Sequence, residues 1–131
     1  KEIKNFIKKN KNSTVFKSLG SIYYLSCLNL VDVMLGNSSS GLLEAPTLKV
    51  PTINIGDRQK GRLRSKSIID CKPKEKNIVY NLKNILEKKK KFEFKNPYGK
   101  GGSSKKIIRI LENLNYNNIL KKTFFNISIK R

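Results

Sequence analysis

Three consecutive serines set between two glycines are the first residues in this sequence with obvious chemical potential. Gly36-Asn37-Ser38-Ser39-Ser40-Gly41 is six small residues with no bulk, and Glu44 follows shortly after. A second stretch, Gly56–Arg64 (GDRQKGRLR), carries Arg58, Lys60, Arg62 and Arg64. If the serine run opens a helix, its free N–H groups and partial positive charge suit a phosphate. The hydroxyls of Ser38, Ser39 and Ser40 add donors, and Gly41 lets a ligand approach the backbone closely. Cations of the second stretch can neutralise an anion. Glu44, in the first turn of such a helix, can accept hydrogen bonds from a diol such as a ribose. Each feature also has a purely structural reading. Serines often cap helices, a first-turn Glu is favoured by the helix dipole whatever the function, and loop cations are commonly just solvated.

The flanking elements decide whether these residues meet. Ile3, Phe6 and Ile7 have helical spacing and predict a helix over residues 2–10. Thr14–Phe16 (TVF) is a short β-prone run. Ser21 can cap a helix reaching about Leu30, with Ile22, Leu25 and Leu28 along one side. Val31–Leu35 (VDVML) reads as a buried strand. Leu42–Leu48 reads as a helix shortened or kinked by Pro46. Pro51–Ile55 (PTINI) and Ser67–Cys71 (SIIDC) read as strands. Asn77–Lys91 and Ser104–Leu114 read as helices, the first with Ile78, Leu82, Ile85 and Leu86 on one face, and 117–131 as a tail. Strands alternate with helices over short connections, the pattern of a parallel sheet covered by helices. The expectation is a single α/β domain, Rossmann-like, with a core over 13–116. Ligands of such sheets sit beyond the carboxyl ends of the strands, where both the serine loop and the 56–64 loop fall.

Charge and composition bound the possible partners. The 131 residues carry 29 Lys and Arg against 9 Asp and Glu, a net charge of +20. That first suggests nucleic acid. Most of the excess lies after residue 71, however, and only five of the basic residues are Arg. A base-reading groove favours Arg and interleaved aromatics. The cations therefore read as solvated Lys-rich faces, and a basic nucleic-acid module is the weaker alternative. No apolar run approaches the roughly 20 residues of a membrane span. The basic, polar first twelve residues are not a secretory leader, so the expected location is the cytoplasm and Cys27 and Cys71 read as reduced, buried thiols. The absence of His removes the commonest metal ligand and the commonest general base near neutral pH. The residues imply neither a metal nor a cofactor.

Residues 36–62, GNSSSGLLEAPTLKVPTINIGDRQKGR, closely resemble the C-terminal domain of UDP-N-acetylglucosamine 2-epimerases, the GDRQKGR ending favouring the hydrolysing members. Ser18-Leu19-Gly20, Tyr24-Leu25, Ile69-Asp70-Cys71 and Asn96-Pro97-Tyr98-Gly99-Lys100-Gly101 look like further landmarks of that family. The resemblance implies a glycosyltransferase-B-like fold of two Rossmann-like domains, this chain being the half that holds UDP. By position it assigns Ser38 and Ser39, with the loop around Ser40 and Gly41, to the diphosphate. It assigns Glu44 to the ribose hydroxyls, Arg58 to the nucleotide and the backbone near Leu19 to uracil.

The reaction implied is elimination of UDP across C1 and C2 of the sugar, followed by addition of water with inversion at C2. In sialic acid and related pathways this yields N-acetylmannosamine and UDP. The family's catalytic carboxylates and active-site His lie upstream of the matching segment, so no catalytic residue is expected here. The implied partners are a UDP-sugar, an N-terminal catalytic domain absent from this sequence, and a second copy in a homodimer. A UDP-diacetamido sugar is an alternative substrate. The absent domain fits either a fragment of a complete enzyme, favoured by the missing initiator methionine, or a truncated, inactive remnant.

Overall fold

The computed structural model describes residues 2–87 and 91–117, together with 119, 121 and 124. Its elements in chain order are α1 (Glu2–Lys9), α2 (Gly20–Leu28), β1 (Met34–Gly36), α3 (Ser40–Leu43), β2 (Thr52–Ile55), β3 (Ile68–Cys71), α4 (Glu75–Leu86) and α5 (Ser103–Glu112). The chain divides into two compact units between Lys100 and Gly101, and α5 lies in the second. The tail expected over 117–131 lies almost wholly outside the described residues.

The three strands form a parallel sheet in the order β1-β2-β3, as expected of an α/β, Rossmann-like domain. Met34 pairs with Thr52, and Thr52 pairs in turn with Ile68. Strand alternation sends Thr52 and Ile53 to opposite faces, and each face has its own core. On one side Leu28, Ala45 and Val50 are buried, with Tyr24, Met34 and Leu48 packed against them. On the other, Ile53, Cys71 and Ile85 are buried against Val33, Ile55, Ile69, Ile78, Leu82 and Phe92. Helix α3 packs on β1 and β2, and α4 on β2 and β3.

Several boundaries differ from those the sequence suggests, each for a local reason. Thr14–Phe16 is not a strand; it is exposed irregular chain. Helix α2 begins at Gly20, with Leu19 as its N-cap and no side-chain cap, rather than at a Ser21 cap. Its buried face is Tyr24 and Leu28, while Ile22 and Tyr23 stand 78% and 72% exposed. Strand β1 starts at Met34 rather than Val31, because ladder pairing begins with Met34 N donating to Pro51 O at 2.9 Å. Leu30 and Val31 are exposed connection. Helix α3 spans only residues 40–43. Pro46 has no N–H for the carbonyl of Leu42, so turns take over, closed by Val50 N donating to Ala45 O at 2.9 Å. Helix α4 starts at Glu75, whose charge suits a first turn, and ends at Leu86 rather than Lys91. Cys71 is buried as expected, but Cys27 is exposed.

Strands β2 and β3 are joined by residues 56–67 without a helix. Polar side chains take the place of a helix core there: Gln59, Ser65 and Ser67 are all buried. Ser65 Oγ donates to Glu93 O at 2.9 Å, and Lys66 pairs with Glu93 at 2.7 Å. That hydrogen bond and the opposing charge hold the Glu93 carboxyl below its ordinary range and raise Lys66 above its own.

Helix α3 packs closely on β2 at Gly41. A Cβ placed on Gly41 would sit 2.6 Å from Thr52 Cγ2 and 3.5 Å from Met34 Sδ. Thr52 is buried and its Oγ1 donates to Gly41 O at 3.0 Å, so its stiff side chain cannot swing away without losing that bond. Gly41→Ala should therefore lower the stability of the chain by about 1–3 kcal/mol in a urea titration. Thr52→Ser removes the clashing methyl and keeps the hydroxyl, so it should recover most of the loss in the Gly41→Ala background.

Candidate functional site

The serine loop leaves the carboxyl end of β1 and the 56–64 loop leaves the carboxyl end of the neighbouring β2. Both expected loops therefore lie at the sheet edge where open α/β folds bind ligands. Within the first loop the three hydroxyls have different surroundings. Ser38 is exposed, and its Oγ accepts from Ser40 N at 3.3 Å. Ser39 is the N-cap of α3 and its side chain makes no capping bond, which leaves its hydroxyl for another partner. Ser40 is buried, and its hydroxyl is bonded to the Tyr24 hydroxyl of α2 at 2.5 Å. Ser40 thus faces the protein, and its side chain braces the loop. The close approach made at Gly41 is to β2, as the Thr52 contact requires.

Glu44 is half-buried and follows the last residue of α3. The dipole that favours a first-turn carboxylate therefore does not account for it. Glu44 lines an open groove of about 620 Å³ with Thr14, Phe16, Ser18, Leu19 and Tyr24. Leu19 and Glu44, distant in sequence, thus share one surface, and Tyr24 connects that surface to the serine loop through Ser40. Gly20, at φ 67°, turns the chain from Leu19 into α2 in a conformation suited to glycine.

Arg58 is exposed and forms no hydrogen bond or ion pair among the described residues. It does not line the Leu19–Glu44 groove. Its neighbour Gln59 points the other way, only 2% exposed, and its Nε2 donates to Asn37 O at 2.8 Å. Arg64 anchors the same residue from behind, its Nη2 donating to Gln59 O at 3.1 Å while Nη1 pairs with Asp70 of β3. Asp70 also accepts from Asn54 Nδ2 of β2 at 2.8 Å. The 56–64 loop is thereby fastened to the serine loop at one end and to the sheet at the other.

Four positioning residues, Tyr24, Thr52, Gln59 and Asn96, lie in stretches that carry the family resemblance, but nothing in their own type or spacing marks their roles. Tyr24 stands in a family landmark and Gln59 among the cations of GDRQKGR, neither with a role of its own there. Asn96, in one of the family landmarks, donates to Leu43 O at 2.8 Å and Thr47 Oγ1 at 2.7 Å. It satisfies a carbonyl that the early end of α3 leaves without an intrahelical donor.

Comparison with known proteins shows a family. Residues 1–112 match the family described as UDP-N-acetylglucosamine 2-epimerase. A Campylobacter jejuni protein named GDP/UDP-N,N'-diacetylbacillosamine 2-epimerase (hydrolyzing) is 42% identical over 95% of this chain, and the match covers 33% of that protein. The Polysialic acid biosynthesis protein P7 of Escherichia coli is 41% identical over 86% of the chain and 29% of its own length. A Legionella pneumophila protein named UDP-N,N'-diacetylbacillosamine 2-epimerase (hydrolyzing) is 36% identical over 76% of the chain and 26% of its own length. The chain thus spans a third or less of these relatives.

The Tyr24–Ser40 bond gives the brace a measurable strength. In a double-mutant cycle of Tyr24→Phe and Ser40→Ala, unfolding free energies should show a coupling of about 1 kcal/mol. Coupling near zero would mean that the bond contributes nothing to holding the loop.

Proposed function

The chain belongs to the UDP-N-acetylglucosamine 2-epimerase family, and from that premise we propose that it is the UDP-holding part of a hydrolysing UDP-sugar 2-epimerase. In this reading the Ser38 and Ser39 hydroxyls and the backbone through Ser40 and Gly41 take the diphosphate. Glu44 takes the ribose hydroxyls, the backbone near Leu19 lies against uracil, and Arg58 adds a cation to the diphosphate side. The reaction expels UDP from the sugar as an anion. Donors fixed in advance around that anion lower the barrier to its departure. The proton transfers at C2 fall to an N-terminal catalytic domain that closes the site, in a cytoplasmic, homodimeric enzyme.

The observation that carries this reading is the meeting of Leu19 and Glu44 on one groove joined through Tyr24 to the serine loop. A base, a ribose and a diphosphate need such a run of apolar wall, carboxylate and hydroxyl donors in that order. The free hydroxyl of Ser39 and the unpaired guanidinium of Arg58 add to it. Among the described residues no helix is long and apolar enough to cross a membrane.

Two substrates fit the proposal. The family description points to UDP-N-acetylglucosamine and a sialic acid pathway, with N-acetylmannosamine as product. The names of the Campylobacter and Legionella relatives favour a UDP-diacetamido sugar instead. Assay of the longer protein with each sugar separates them by which one releases UDP.

Calorimetric titration of the purified chain with UDP tests the nucleotide reading. UDP should bind, and Glu44→Ala should weaken it about tenfold or more, as loss of hydrogen bonds to a charged group implies. RNA binding that falls steeply with salt, with no response to UDP, would favour a basic nucleic-acid module instead.

A further inference from the structure

Gln59 is a buried polar residue in a cation-rich loop, and it is only half satisfied. Its Nε2 donates to Asn37 O, while its Oε1 is buried with no partner among the described residues. A buried, unpartnered amide oxygen is unfavourable, so stability alone would be served by an apolar side chain of the same size. What the amide does provide is a rigid link across 22 positions of sequence, from the Arg58 loop to the residue just before Ser38. Asp70, held by Asn54 and paired with Arg64, fixes the other end of that link on β2 and β3.

We infer that Gln59 is a positioning residue for the phosphate half of the site, setting the serine loop and Arg58 at a fixed separation through the Asn37 carbonyl. The inference rests on the nucleotide reading above. Asn37 and Ser38 lie on the diphosphate side of that reading, and no part of the Gln59 network reaches the groove lined by Leu19 and Glu44. Loss of the link should therefore weaken ligands that carry phosphates and spare those that do not.

Gln59→Met tests this, because it keeps the length of the side chain and removes both the donor and the orphaned oxygen. Asn37 is exposed, so its carbonyl can turn to water. The expected result is an unfolding midpoint close to wild type, UDP affinity lowered about tenfold, and uridine affinity, read by ligand-observed NMR, changed less than about twofold. Gln59→Asn, one methylene too short for the link, should show the same selective loss and serves as the second variant. Equal weakening of UDP and uridine, or no change in either, overturns the assignment. Unfolding of both variants makes Gln59 purely structural and overturns it too. A wild-type chain that binds neither ligand removes the nucleotide reading itself, a failure distinct from the other two and fatal to both claims.

Discussion

Helix α3 meets β2 at a point where only a hydrogen atom fits, since any side-chain carbon at Gly41 would run into the Thr52 methyl. The same pair is bonded through Thr52 Oγ1 and Gly41 O. This contact fixes the height of α3 above the sheet and, through it, the path of the chain leaving β1. With Gly41 set against the strand, Ser40 turns inward to Tyr24, Ser38 and Ser39 lie on the outer side of the turn, and Glu44 emerges beside the groove. Pro46 then prevents the helix from continuing and carrying Glu44 into an ordinary helical position.

The second half of the arrangement is polar. The crossover between β2 and β3 contains no helix, and buried Gln59, Ser65 and Ser67 hold it with hydrogen bonds. Tyr98 adds a bond from its hydroxyl to Leu63 O at 2.9 Å. A crossover held this way keeps its cations at the surface, where Lys60 and Arg62 stay in water and Arg58 is free to meet an anion. Directional bonds also give it one register relative to the serine loop, which apolar packing would specify less sharply.

Much of this was legible in the residues. PTINI carries Pro51, Ile53 and Ile55 on one face and SIIDC carries Ile69 and Cys71 on one face, both bounded by polar loops, so β2 and β3 fall where expected. The Ile78, Leu82 and Ile85 spacing fixes the buried side of α4. The start of β1 was not legible, because Val31 and Val33 look alike in sequence while only the second packs on the core. Helix α2 misleads for a similar reason. It is apolar all round, so its inward face is chosen by what Tyr24 and Leu28 meet and not by its own pattern. The serine loop and Glu44 stood out by residue type, and Leu19 only through the family resemblance. Their braces did not, since Tyr24, Thr52, Gln59 and Asn96 act through long-range partners that no local pattern announces.

We propose that Leu19, the serine loop and Glu44 together hold UDP. A crystal structure of the protein grown with UDP tests it most directly. Diphosphate oxygens should lie against the Ser38 and Ser39 hydroxyls, ribose hydroxyls on Glu44, and the base in the groove beside Leu19. UDP lying on the lysine-rich surface instead, with that groove empty, would contradict it.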